Sequence, residues 1–192
     1  MKANSVYRAE ARQSMSGKWA TSALFCFVCV LLSCVVDGSL SCLSYGYGSM
    51  LACLLILPFS YALEVAFLRQ FRAEEMQIEW LFEHFNRRVW VTMIYRYILV
   101  ILWSLLLIIP GIIKSYSYAM VPYLMLDDPE LTGREALNRS EAMMKGHRMD
   151  MFLLDLSFLG WVLLGILAFG VGVFFVSPYV ESAHAAFYED LK

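Results

Sequence analysis

Glu64, Arg96, Lys114, Asp155, Glu181 and His184 each interrupt a long hydrophobic run where an apolar chain would be expected to carry no charge. An ionisable group at the centre of a membrane-spanning helix costs about 2.5–3.5 kcal/mol on insertion scales, so each needs a partner or a task. Counting six residues beyond each of three prolines, Pro58, Pro122 and Pro178, reaches Glu64, Asp128 and His184. That register places all three at the cytoplasmic ends of returning spans, where they would form one polar cluster. Such a cluster suits proton or ion handling; the plainer account is snorkelling and solvation at helix ends. Arg96 and Asp155 lie deeper in their runs and are expected to pair with each other, while Glu181 shares the last span with His184. Lys114 follows a turn and would snorkel outward.

These residues do not assemble into a recognisable enzyme motif. The chain has no HExxH, no GxSxG, no P-loop and no glycine-rich dinucleotide fingerprint. His84, His147 and His184 are scattered and lack metal-ligand spacing, so no catalytic, cofactor or metal site is expected. Cys26 and Cys29 have CxxC spacing inside an apolar helix with no second pair, and read as small hydrophobes. Cys34 and Cys42 flank a predicted outer loop, but nothing in the sequence supports a disulfide between them.

The elements that must position these groups follow from composition. With 60% hydrophobic residues, 15% aromatic residues and a mean hydropathy of +0.60, the chain is far more apolar than a soluble domain. The net charge of −2 conceals strong segregation. All but Lys114 of the 15 Lys and Arg residues fall within residues 2–18, 69–96 and 134–148 or at Lys192. This is the positive-inside pattern of a multi-pass membrane protein, and it places the basic connections and both termini in the cytoplasm. Basic segments beside membrane spans serve topology and lipid headgroups rather than nucleic acid. The first apolar run is expected to be a retained span, since no convincing small-x-small cleavage site follows it.

Six spans are predicted, in three hairpins. Residues 19–36 and 49–68 form the first hairpin. The run 91–126 is too long for one span and is divided at Pro110-Gly111 into 91–109 and 112–126. A single kinked helix there would put Arg88 and Arg134 on opposite sides of the membrane. The last run, 151–188, divides near Gly170 and Gly172. The expected fold is therefore all-α, a single integral-membrane domain over residues 1–192 of a bacterial inner or plasma membrane. Trp19, Trp80, Trp90, Tyr116 and Tyr118 fit interface belts. Small residues at Ala62, Ala66, Ser157, Gly160, Gly165, Ala168, Ser182 and Ala186 suit close helix packing.

Amphipathic segments lie between the hairpins. Ile78, Leu81, Phe82 and Phe85 share a helical face opposite Glu79, Glu83 and Arg87. Ala136, Leu137, Met143 and Met144 are set among Arg134, Arg139, Glu141 and Lys145, and Thr132 with Glu135 forms a capping box. The first 18 residues are a fainter version. Such helices are expected in the headgroup layer, apolar side down; the alternative is a cytoplasmic collar packed beneath the bundle. Each unit (about 1–75, 76–130 and 131–192) runs amphipathic helix, basic junction, outward span and inward span with a proline–aromatic pair. Those pairs are Pro58-Phe59, Pro122-Tyr123 and Pro178-Tyr179, and Met15-Ser16-Gly17-Lys18 resembles Lys145-Gly146-His147.

Several blocks are distinctive in combination: IPGIIKSYSYAMVPY over 109–123, DDP from Asp127, EALNRS from Glu135, MMKGHR from Met143, LSFLGW over 156–161 and PY…AFYE over 178–189. Together they resemble the bacterial integral-membrane family known as domain-of-unknown-function family 975, over roughly residues 7–188. The outer loop, 37–48, has no counterpart in that resemblance. It implies a polytopic membrane protein and transfers no catalytic or binding residue.

The function expected from the residues themselves is a non-enzymatic module that binds lipids or membrane proteins, or a second copy of itself. Arg87, Arg88, Arg139 and Arg148 would contact anionic headgroups. The alternative is a small transporter or channel subunit using Glu64, Arg96, Asp155 and His184. A membrane enzyme ranks third and would require a water-accessible cavity with converging polar groups.

Overall fold

Long apolar runs with no alternation leave the backbone to satisfy its own hydrogen bonds, and the described residues are helical with no strand. The structure is a computed structural model that describes residues 2–43, 48–74, 76–77, 79–80, 86–167 and 172–192; of 40–43, 48–55 and 58 it describes the backbone. The helices are α1 (Asn4–Ser14), α2 (Trp19–Leu43), α3 (Gly48–Phe71), α4 (Arg87–Leu106), α5 (Ile108–Ser117), α6 (Val121–Asp127), α7 (Gly133–Met143), α8 (Arg148–Leu167) and α9 (Val173–Leu191).

Three described helices are long and apolar enough to cross a membrane: α2 over Trp19–Ser39, α4 and α8. They lie at the periphery and expose Leu24, Val30, Ile98, Ile101, Leu156 and Leu163. Residues 59–70 of α3, most of α6 and residues 178–188 of α9 lie largely inside. Helix α9 packs on α1, α2, α3 and α8, and α6 buries everything from Val121 to Met125. A helix enclosed by other helices need not be uniformly apolar, which accommodates Glu64 of α3 and Glu181 and His184 of α9.

The break in the 91–126 run falls at Leu107, not at Pro110-Gly111. Leu107 is extended (φ −161°, ψ 139°), and Pro110 falls in the first turn of α5, where a missing N–H costs no helical bond. Gly111 has a different task. A Cβ there would stand 2.1 Å from Ser104 Oγ, so glycine lets α5 lie against α4. The returning path is also broken at residues 118–120, and α6 restarts with a proline in its first turn.

Helices α1 and α7 lie with their apolar faces against protein. Tyr7, Ala11 and Met15 of the first segment, and Ala136, Leu137 and Met144 of the second, are at most 3% exposed. The apolar face of α1 is covered chiefly by α9, and that of α7 by α4 and α6. Thr132 and Glu135 form the predicted capping box at the start of α7. The corners leading into α2 and α8 are built alike. Met15 and Met144 end the preceding helices at (−87°, −5°) and (−81°, −1°), and Gly17 and Gly146 follow with φ of 78° and 93°. The amphipathic segment around 78–85 lies largely outside the described residues, as does the side chain of Cys42. Trp80 and Tyr118 are buried rather than placed in an interface belt. Ala62, Ala66, Ser182 and Ala186 are buried as expected of packing residues, whereas Gly160 has nothing near it.

Candidate functional site

Helices α3, α4, α5, α6, α8 and α9 meet around a cavity of about 290 Å³. Its wall contains Glu64, Arg96, Asp155, Glu181 and His184 together with Tyr116 and Tyr123. Glu181 and His184 reach it from one face of α9 because they are three residues apart on a helix. Asp155 comes from α8, Arg96 from α4 and Glu64 from α3, so all three sequence units contribute.

The pairing differs from the expected one. Arg96 Nη1 lies 3.4 Å from Glu64 Oε1. Asp155 instead sits 2.6 Å from His184 Nε2 and accepts the Tyr116 hydroxyl at 3.0 Å. The reason is helix adjacency: α4 packs on α3, and α8 packs on α9 and α5. Glu181 has a fully buried oxygen, Oε2, with no hydrogen-bond partner. Asp128 is absent from the cluster. It lies past the end of α6, accepts from Arg139 at 3.2 Å and is 41% exposed. The interrupted return makes α6 short, so six residues beyond Pro122 run off the helix. Lys114 does not snorkel outward; it donates to Glu141 of α7 at 2.5 Å and lies over the rings of Trp103 and Tyr118.

A second charged cluster closes the basic end of the bundle. Arg72 grips Asp127 with two nitrogens at 2.6 and 3.0 Å and donates through Nε to Glu189 at 2.6 Å. Tyr188 and Lys192 each donate to Asp127 Oδ2 at 2.7 Å. Burial alone would raise the Asp127 carboxyl, but the hydrogen bonds from Arg72, Lys192 and Tyr188 prevail and hold it well below the usual carboxylate range. This clasp ties the ends of α3, α6 and α9 together.

The four arginines expected to meet lipid headgroups are differently placed. Arg87 is exposed. Arg88 donates to the carbonyls of Asp128 and Leu131, and Arg139 pairs with Asp128. Arg148 lies 3.6 Å from Glu141, and its buried Nε has no partner.

Residues 88–192 match the protein family of unknown function DUF975. The chain belongs to this family. The matched segment carries every residue of the cavity wall except Glu64. No curated protein and no solved structure matches the chain.

Sequence reasoning missed Tyr116 and Tyr123 as wall residues, Asp127 as the hub of the clasp and Glu141 as the partner of Lys114. The first three lie in the blocks 109–123 and DDP, so the signal was block membership. Glu141 gave no signal beyond its place on the polar face of α7.

Proposed function

We propose that this protein is a small membrane transporter or channel subunit that holds a small polar solute in its charged cavity. In this reading its six spans form three hairpins in a bacterial inner or plasma membrane, with both termini and helices α1 and α7 on the cytoplasmic side. The observation that carries it is the convergence of five ionisable side chains, from all three units, on one cavity. Ionisable groups within spans face bundle interiors or water-filled cavities and mark solute pathways, and repeat units place such sites where they meet.

The test is to extract the protein in native-membrane patches and identify the polar small molecules it retains. A Glu64→Gln/Arg96→Met double variant removes both members of one ion pair and leaves no lone charge behind. Wild type should enrich a solute that the double variant loses, and should carry that solute across a proteoliposome membrane. Identical bulk profiles from the two proteins would count against the reading.

A second reading, a lipid-binding module, keeps one specific support. A groove of about 370 Å³ between α5 and α8 is lined by Ile112, Ile113, Met149 and Phe152, with Arg148 beside them. An acyl chain in the groove would bring an anionic headgroup beside the Arg148 side chain. Arg148→Gln should then lower the enrichment of anionic lipid in the patches, and unchanged enrichment would dispose of this site.

A further inference from the structure

The charges around the cavity do not balance. Glu64 is answered by Arg96 at 3.4 Å, and Asp155 by His184 at 2.6 Å with the Tyr116 hydroxyl at 3.0 Å. Glu181 is left over, with a buried oxygen that no donor reaches. An acceptor stranded in this way is destabilising, the more so when charged, unless something supplies the missing donor. Glu181 is itself a residue of the cavity wall.

We propose that the solute of the cavity is a small organic cation with N–H donors, a primary ammonium or a guanidinium, held by Glu181. The inference rests on the solute-binding reading above and gives it a substrate class. Such a cation meets both deficits at once, the excess negative charge and the unused acceptor, through a charge-assisted hydrogen bond. An anion would face three carboxylates, and Arg96 is already engaged with Glu64. A quaternary ammonium would bring charge but no donor. Among the described residues no group of three or more His, Cys, Asp or Glu side chains is disposed to hold a metal ion, which favours an organic cation. Tyr116 and Tyr123 supply aromatic wall, which an organic cation uses well. The volume, about 290 Å³, limits the solute to a small one.

The experiment is calorimetric titration of ethylammonium, guanidinium, tetramethylammonium and acetate, at constant ionic strength, into the protein in lipid nanodiscs. Wild type, Glu181→Gln and Asp128→Asn are compared, the last altering a carboxylate outside the cavity. Ethylammonium and guanidinium should bind wild type and Asp128→Asn alike, and bind Glu181→Gln about ten- to a hundredfold more weakly. Tetramethylammonium should bind wild type more weakly than ethylammonium does. If the unliganded melt finds Glu181→Gln unfolded, Glu181→Asp keeps the charge, withdraws it by one methylene, and should weaken binding to a smaller degree. Ethylammonium binding Glu181→Gln as tightly as wild type would overturn the role of Glu181. Preferential binding of acetate, or binding of none of the four probes, would overturn the cation assignment. In either case a polar solute retained in the native patches would leave the solute-binding reading standing, and its absence would remove that as well.

Discussion

The clasp at the basic end and the cavity within the bundle draw on the same returning helices, α3, α6 and α9, yet their charges are arranged differently. In the clasp, Arg72 spends three nitrogens on Asp127 and Glu189, and Tyr188 and Lys192 complete the shell of Asp127. In the cavity wall, two carboxylates have partners and Glu181 keeps a buried oxygen without one. A saturated cluster resists change and fixes the ends of three helices relative to one another. An unsaturated cluster beside an open volume is suited to receive something. The contrast separates charges that hold the fold from charges available to a ligand, although both sets look equally anomalous in an apolar chain.

Predictions that would break or sharpen this contrast follow from the two hubs. The largest effect should come from Asp127→Ala, which leaves Arg72 with Glu189 alone and releases Lys192 and the Tyr188 hydroxyl. It should lower resistance to denaturation in mixed micelles by about 1–3 kcal/mol, a range reduced from that of fully buried pairs because Arg72 and Lys192 are 28% and 50% exposed and Arg72 keeps Glu189. Loss of less than about 1 kcal/mol would mean that the clasp is not a fastening.

The pH dependence of the clasp has a definite sign. The folded-state pKa of Asp127 is depressed, so its contribution is fully present above the unfolded carboxylate value of about 4 and is lost as pH falls through the folded value. Hydrogen exchange at the ends of α6 and α9 should therefore stay slow from about pH 5 to 8 and show loosening only below about pH 4. Loosening near neutrality would assign the fastening elsewhere.

Glu181→Gln should move stability in the opposite direction from Asp127→Ala. Removing an uncompensated buried carboxylate should leave the unliganded melt unchanged, or raise stability by up to about 1 kcal/mol, while solute binding falls. A large destabilisation would place Glu181 with the structural charges. The smallest effect should come from Asp128→Asn, which breaks an exposed pair with Arg139 and should cost within about 0.5 kcal/mol in the same assay.

The interior charges were visible in the sequence because burial in a span is expensive, and that cost singled out Glu64, Arg96, Asp155, Glu181 and His184 without any geometry. The capping box at Thr132 was equally legible, since its hydrogen bonds join residues three apart. Partners were not legible, because helix adjacency decides them: Arg96 faces α3 rather than α8. The distinction between Asp127 and Asp128 was lost for a similar reason. It depends on where a short helix ends, and the break at residues 118–120 carries no proline or glycine to announce it. The break falls at Leu107, not Pro110, because proline is tolerated in the first turn of the helix that follows. Amphipathicity revealed that α1 and α7 each have an apolar face but did not reveal what covers it.

The contrast between the two clusters is tested most directly by labelling the protein in nanodiscs with a hydrophobic carbodiimide and mapping the modified carboxyls by mass spectrometry, with and without ethylammonium. The account predicts that Glu181 is modified and is protected by ethylammonium, while Asp127, enclosed by its donors, stays unmodified in both conditions. Modification of Asp127 as readily as Glu181, or modification of Glu181 that ethylammonium leaves unchanged, would contradict it.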